Sequence, residues 1–231
     1  MNNIHKFKSL FIIIISIIII VGCAYFKSFK EGLTNNNNIV LIGDSVLNNS
    51  NYVPSGKSVV DILKTIITEK KVFDFAKDSA TISDCYTQLD KIPIELNTTE
   101  TYVFISAGGN DILNKRGQLT SAEIRKIFND YMDFLKALRV KLSSANINIL
   151  NLYMPSNPRY QAYKTSIDQW NQLIKEYSSK IGEMYNVINI DTLLTSPEDF
   201  VYDIEPSETA SQKIANVIYL PYNLLFDSVI D

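Results

Sequence analysis

Histidine is almost absent from this 231-residue chain, which contains only one, His5. His5 precedes an uncharged hydrophobic segment and lies far in sequence from every candidate site. Histidine is the side chain that most often transfers protons near neutral pH. The sequence therefore excludes a Ser-His-Asp relay of the ordinary kind.

The chain also has few cysteines and no excess of positive charge. The two cysteines, Cys23 and Cys85, are too few for a disulfide framework. The 22 Lys and Arg residues are outnumbered by 25 Asp and Glu residues, and they form no basic stripe with interleaved aromatic residues. We therefore expect no nucleic-acid partner. Length and composition fit one globular domain with a single large core, plus one additional segment.

The additional segment lies near the N-terminus, where residues 9–26 carry no charge and are dominated by isoleucine. Lys6 and Lys8 precede this stretch, and Lys27 and Lys30 follow it. A membrane-spanning helix needs about 20 apolar residues, with a lower limit of about 17. The stretch is long enough to span a bilayer, so the sequence predicts a single-pass membrane protein.

Three regions follow from this pattern. We assign residues 1–30 to an uncleaved signal anchor, 31–38 to a polar tether with four consecutive asparagines, and 39–231 to the globular domain. The alternative is a lipoprotein, because the Ile-Val-Gly-Cys sequence ending at Cys23 resembles a bacterial lipobox and would make this cysteine the lipid anchor. The signal anchor is favoured because the apolar block continues to Phe26 without a clear small-residue cleavage site.

Short apolar runs alternate with segments of helical periodicity through the globular domain. The runs are rich in β-branched and aromatic residues, as parallel strands buried on both faces usually are. The predicted strands are 39–42, 72–76, 102–106, 147–153 and 187–190. The predicted helices include 58–70, 121–142 and a stretch from 160 to 181 with an aromatic and aliphatic stripe. This alternation predicts an α/β fold on a parallel sheet, and we interpret the stripe as a core face rather than a cofactor or sugar platform.

Two polar motifs directly follow predicted strands. Gly43-Asp44-Ser45 follows the first strand, and Gly108-Gly109-Asn110-Asp111 follows the third. The carboxyl ends of parallel strands meet at one edge of the sheet, where open α/β proteins bind ligands. A hydroxyl and a carboxamide should therefore emerge together at that edge. We interpret Asp44 and Asp111 as carboxylates that stabilise turns.

These motifs resemble blocks I and III of the SGNH (GDSL-type) hydrolases. The resemblance implies a flavodoxin-like three-layer α/β/α fold with a parallel five-stranded sheet in the order 2-1-3-4-5. It also implies that Ser45 is the nucleophile and that the Ser45 N–H and the Asn110 side-chain amide belong to the oxyanion hole. Residues 75–82 resemble the family's block II, with Ser79 in place of a glycine. The Ser79 N–H can act as the third oxyanion donor if its backbone keeps its shape without glycine's freedom.

The family's last block, Asp-x-x-His, is altered in this chain. Residues 201–207 precede an amphipathic segment and place Glu205 at the histidine position, with Asp203 one residue closer than the family's aspartate. The resemblance implies a catalytic set of Ser45, Glu205 and Asp203. An unperturbed Glu has a pKa of about 4.3 against about 6.5 for His, so such a base needs burial or a nearby charge to raise its pKa. The alternative is that Glu205 only stabilises the start of a helix near Pro206.

The sequence therefore predicts a membrane-anchored serine esterase or acyl hydrolase that acts on a small-molecule, lipid or glycan ester. Two alternatives are an inactive relative that binds an acylated or glycan ligand, and a membrane-tethered interaction domain. No cofactor is expected. Asp44, Asp111, Asp203 and Glu205 could together supply oxygen ligands to a cation, but no ligand-spacing motif supports this, so no metal is expected.

Overall fold

A computed structural model describes residues 37–67, 71–180 and 185–227, without the side chains of residues 180 and 220–227. These residues belong to one unit that begins at Asn37. The predicted anchor and nearly all of the predicted tether lie outside the described residues. Within the described ranges, none of the helices combines the length and the hydropathy needed to cross a bilayer.

Five parallel strands form the central sheet in the order β2-β1-β3-β4-β5. They are β1 (Asn38–Gly43), β2 (Val72–Asp74), β3 (Thr101–Ser106), β4 (Asn146–Leu150) and β5 (Asn186–Ile188). Residues 39–42 of β1 are completely buried, because helices cover both faces of the sheet. This burial explains the unbroken apolar run at the start of the domain. The predicted α/β fold and strand order are confirmed.

Helices on both faces complete the three layers. The helices are α1 (Val59–Ile66), α2 (Ile82–Asp90), α3 (Gly109–Leu113), α4 (Ser121–Lys141), α5 (Lys164–Lys180) and α6 (Glu208–Asp227). α1 and α6 share one core with Ile39 and Leu41, whereas α2, α4 and α5 share the other core with Val40 and Ile42. Alternate residues of β1 thus face opposite layers, as the pleat of a strand requires.

Three of the predicted strands end two to three residues earlier than predicted. β2 ends at Asp74, β4 at Leu150 and β5 at Ile188. After β4, the backbone of Leu152 forms hydrogen bonds with the side chain of Asn171 in α5 instead of with a neighbouring strand. Its Nδ2 donates to the Leu152 carbonyl (2.7 Å), and its Oδ1 accepts from the Leu152 N–H (2.9 Å). The chain therefore leaves the sheet before residue 153.

The aromatic stripe is divided between the core and a pocket. Trp170 and Ile174 of α5 are buried in the core, as predicted for most of the stripe. Tyr160 and Tyr163 instead lie in a 3₁₀ turn that precedes α5. Both tyrosines line a pocket at the carboxyl edge of the sheet.

Candidate active site

The turn that carries Ser45 is held by contacts on Gly43. The φ of Gly43 is +128°, and a Cβ at this position would lie 1.8 Å from the carbonyl oxygen of Ser106. Gln88 fixes both polar groups of the glycine backbone: its Oε1 accepts from the Gly43 N–H (2.7 Å), and its Nε2 donates to the Gly43 carbonyl (2.9 Å). Only glycine fits this close approach. Ser45 is therefore presented from a rigid turn at the end of β1.

Asp44 ties this turn to the neighbouring strand. Its Oδ1 accepts hydrogen bonds from the Ser106 hydroxyl (2.8 Å) and from the Val46 N–H (3.1 Å). Burial raises the pKa of Asp44 to about 7, although these two hydrogen bonds oppose the shift. Asp111 has a similar role, because its Oδ2 accepts from the Ile82 N–H (3.1 Å). Both carboxylates stabilise turns, in agreement with the sequence interpretation.

Asn110 and the Ser79 turn lie next to each other. Asn110 belongs to α3, which begins after Gly108, and Gly108 has a φ of +100° with the ring of Trp170 packed against it. The Asn110 Nδ2 donates to the Ala80 carbonyl (2.9 Å), which fixes the amide beside the turn that contains Ser79. The amide has a second N–H that this bond leaves for another acceptor.

Ser79 occupies a backbone conformation that usually belongs to glycine. Its φ is 61°, in the left-handed region, where a residue with a Cβ costs roughly 1–2 kcal/mol. Ser79 thus adopts the positive φ that a glycine would adopt without this cost. Its side chain is exposed, and the hydroxyl donates to Asp78 Oδ1 (3.1 Å).

Glu205 lies beside Ser45 in the structure. It belongs to a short antiparallel hairpin of β6 (Phe200–Val201) and β7 (Glu205–Pro206), and it lines the same pocket as Ser45. The Asn49 Nδ2 donates to the Pro206 carbonyl (2.9 Å), so the segment after the Ser45 turn holds the hairpin in place.

Burial raises the pKa of Glu205. Desolvation raises the pKa of the carboxyl, the Ser45 hydroxyl lowers it by hydrogen bonding, and the negative charge of Asp78 raises it further. The net shift is upward. Oε2 of Glu205 is buried and accepts no hydrogen bond from the residues that the structure describes, so the carboxyl is not fully satisfied by its neighbours. A buried acceptor without a partner carries a desolvation cost.

Asp203 does not pair with Glu205 in the structure. Its Oδ2 lies 3.0 Å from the Arg159 guanidinium, and its Oδ1 accepts from the Asn157 Nδ2 (2.7 Å). Tyr202 and Asp203 both have positive φ, 47° and 72°, and both side chains are exposed. This turn directs the Asp203 carboxylate to the surface. Across the described ranges, no three His, Cys, Asp or Glu side chains are grouped as metal ligands.

The pocket beside Ser45 is small and mostly apolar. It has a volume of about 120 Å³. Its apolar lining consists of Val46, Ile112, Leu113, Leu152, Pro155, Ile167 and Ile204. Ser45, Asn110 and Glu205 provide its polar side, together with Asp44. The structure therefore brings three of the predicted site residues, Ser45, Asn110 and Glu205, to one pocket, whereas Ser79 and Asp203 are not among its lining residues.

Sequence reasoning missed the tyrosines of this pocket. Tyr153, Tyr160 and Tyr163 line it, and the Tyr153 hydroxyl donates to the Ile204 carbonyl (2.8 Å) next to Glu205. The available signal was the clustering of tyrosines at the start of the stripe, ahead of its aliphatic part. Tyrosine has a polar end that reaches water, so it suits a pocket wall better than a closed core.

The fold and the arrangement of Ser45, Asn110 and the Ser79 turn define an SGNH-type hydrolase domain. The sequence matches the family model of the GDSL-like lipases and acylhydrolases over residues 39–222. The chain therefore belongs to the GDSL-like lipase/acylhydrolase family. A search of curated proteins found no match to it.

Solved structures with the same fold are distant in sequence. A lipase from a goat rumen metagenome, Lip_vut3, is 18% identical with a TM-score of 0.64, and the match covers 80% of this chain and 97% of the lipase. The psychrotrophic esterase EstA from Pseudoalteromonas sp., solved with monoethylphosphonate as inhibitor, is 17% identical with a TM-score of 0.58, covering 83% and 100%. A G-D-S-L family lipolytic protein from Veillonella parvula is 16% identical with a TM-score of 0.59, covering 81% and 96%. These similarities show a shared fold.

Proposed function

We propose that this protein is a serine esterase that hydrolyses short-chain esters, with Ser45 as nucleophile and Glu205 as general base. The observation that carries the proposal is that Ser45, Asn110 and the half-buried Glu205 line one pocket, with the Ser45 hydroxyl near enough to the carboxyl to lower its pKa. A nucleophile within reach of a base, beside oxyanion donors, is the arrangement that acyl transfer needs.

The reaction follows from these positions. Glu205 takes the hydroxyl proton as Ser45 Oγ attacks the ester carbonyl carbon, and the carbonyl oxygen becomes an oxyanion. The N–H groups of Ser45 and Ser79 and the Asn110 amide stabilise that charge, and loss of one such donor costs about 10²–10³ in rate in a protease precedent. The alcohol leaves with the proton from Glu205. Water, deprotonated by Glu205, then attacks the acyl carbonyl carbon, and the acid is released as Ser45 Oγ leaves and takes the proton back from Glu205.

Glu205 is a weaker base than the histidine it replaces. Its raised pKa increases its basicity and partly offsets this difference. Asp203 is engaged by Arg159 and Asn157, so it contributes no direct contact to Glu205. We therefore expect slow turnover, below that of a relative with a histidine.

The volume of the pocket limits the size of the acyl group that a substrate can carry. A cavity of about 150 Å³ engineered in another protein binds benzene, and this pocket, at about 120 Å³, is slightly smaller. Its apolar lining favours a hydrocarbon over a charged group. The proposed substrates therefore carry acyl groups of roughly six carbons or fewer.

Glu205→Gln is expected to lower kcat/KM for a short-chain aryl ester by roughly 10–100-fold, at or below the low end of the 10²–10⁴-fold that a general base typically contributes, because a carboxylate is a weak base. The wild-type rate should fall with decreasing pH as Glu205 becomes protonated, with a midpoint above the ordinary 4.5 because burial raises its pKa. This acid limb should disappear in Glu205→Gln. A limb near pH 7 that persists in the variant belongs to Asp44.

The control for this measurement is Glu198→Gln, which removes an exposed carboxylate seven residues earlier. It should leave both the rate and the pH profile unchanged. Identical rates and profiles for the wild type and Glu205→Gln would contradict the proposed base. If neither protein exceeded background, an inactive ligand-binding relative would be the better interpretation.

We also propose that residues 9–26 anchor the domain in a membrane. The support is the uncharged isoleucine-rich sequence between Lys8 and Lys27. The full-length protein should stay in the membrane fraction after high salt and alkaline carbonate, whereas a chain beginning at Asn35 should be soluble. Recovery of the full-length protein in the soluble fraction would contradict the anchor, and a mature N-terminus at Cys23 would identify a lipoprotein.

A further inference from the structure

Backbone strain is concentrated around the proposed site. Four non-glycine residues among the described ranges have φ in the left-handed region: Ser79, Arg116, Tyr202 and Asp203. Ser79 carries the third oxyanion donor, and Tyr202 and Asp203 form the turn that leads to Glu205. A residue with a Cβ keeps such a conformation only when surrounding contacts impose it.

Tyr52 and Asp78 make contacts of this kind. The Tyr52 hydroxyl donates to Asp78 Oδ2 (2.8 Å), and the Ser79 hydroxyl donates to Asp78 Oδ1 (3.1 Å), so both carboxylate oxygens are engaged. The ring of Tyr52 also packs against Tyr202, with a centroid separation of 5.9 Å. Tyr52 therefore contacts the turn before Glu205 directly and the Ser79 turn through Asp78.

We propose that Tyr52 and Asp78 are positioning residues that hold Ser79 in the left-handed conformation its N–H needs to reach the oxyanion. This inference rests on the proposed function. The family's block II has a glycine here, which adopts positive φ without a brace. In this chain, the hydrogen bonds from Tyr52 and Ser79 to Asp78 hold the serine in the conformation that a glycine would adopt freely. Neither Tyr52 nor Asp78 is among the residues that line the pocket.

Tyr52→Phe separates this positioning role from electrostatics. The substitution removes the hydroxyl that orients Asp78 but leaves the carboxylate charge that raises the pKa of Glu205. It also leaves the aromatic ring that packs against Tyr202. The variant thus tests only the hydrogen bond between Tyr52 and Asp78.

The test combines Tyr52→Phe with Ser79→Gly in hydrolysis of a short-chain aryl ester. Tyr52→Phe alone should lower kcat about 5–30-fold, the population change expected when a strained conformer loses its support, with little change in KM. In the Ser79→Gly background the same substitution should change kcat less than about 2-fold, because glycine needs no brace. Tyr86→Phe, which removes the hydroxyl of a partly exposed tyrosine packed on Phe134, is the control.

The outcomes separate this inference from the proposed function. Equal losses of kcat in the wild-type and Ser79→Gly backgrounds, or no loss in either, would overturn the proposed positioning role of Tyr52 and Asp78. If the wild type shows neither turnover nor labelling by a fluorophosphonate, the proposed function fails, and the brace is then tested by NMR. The backbone chemical shifts of Ser79 should leave the left-handed range in Tyr52→Phe and not in Tyr86→Phe. Unchanged shifts would overturn the inference independently of activity.

Discussion

Ser45→Ala is expected to abolish hydrolysis through an acyl-enzyme and to leave only a slow residual rate of ester hydrolysis. The substitution removes the hydroxyl oxygen that the pocket places beside both Glu205 and Asn110 for attack on the substrate. The oxyanion donors that remain have no covalent intermediate to stabilise. Initial rates on a short-chain aryl ester measure the effect.

The matched control is Ser50→Ala, which removes an exposed hydroxyl that donates to Asn48 Oδ1 (2.9 Å). This variant should retain wild-type turnover. Thermal unfolding checks that both variants fold. The check is needed most for Ser45→Ala, because Ser45 is buried whereas Ser50 is exposed. A folded Ser45→Ala protein with wild-type turnover would rule out this serine as the nucleophile.

Gly43→Ala should remove most of the stability of the domain. A Cβ at Gly43 would lie 1.8 Å from the Ser106 carbonyl oxygen, a backbone atom that cannot move without separating β1 from β3. We expect a loss of at least about 4 kcal/mol in the free energy of unfolding, against a typical total of about 5–15 kcal/mol. Urea unfolding followed by circular dichroism measures this loss.

Gly117→Ala provides the comparison. The φ of Gly117 is +130°, close to the +128° of Gly43, but a Cβ there would meet no atom within 4 Å. It should therefore show only the conformational cost, about 1–3 kcal/mol. The difference between the two variants measures the close approach of β1 and β3. Equal losses would mean that the Gly43 turn relaxes without disturbing the sheet.

The fold could be predicted from the sequence because its signals are local. The runs at residues 39–42 and 102–106 lack polar alternation, as expected for strands covered on both faces. The helix predicted over 121–142 from its apolar spacing matches α4, which begins in the structure with a capping box of Thr120 and Glu123. The end of β4 was not predictable in this way, because it depends on Asn171 in a later helix.

The candidate site was only partly predictable for a related reason. Ser45 and Asn110 follow neighbouring strands of the parallel sheet, so its topology brings them together, whereas Glu205 lies in a separate hairpin that Asn49 holds in place. Asp203 is close to Glu205 in sequence, but its left-handed conformation and its ion pair with Arg159 direct it outward. Neither the φ of a turn residue nor a partner 44 positions away can be read from a local motif.

Labelling with a fluorophosphonate tests the central claim most directly, because such a probe reacts preferentially with an activated serine. The domain beginning at Asn35 would be incubated with the probe, digested and mapped by mass spectrometry. We predict a single adduct on Ser45, formed roughly 10–100-fold more slowly in Glu205→Gln and unchanged in Glu198→Gln. A folded protein with no adduct on Ser45, or with equal labelling in Glu205→Gln, would contradict a Ser45–Glu205 esterase site.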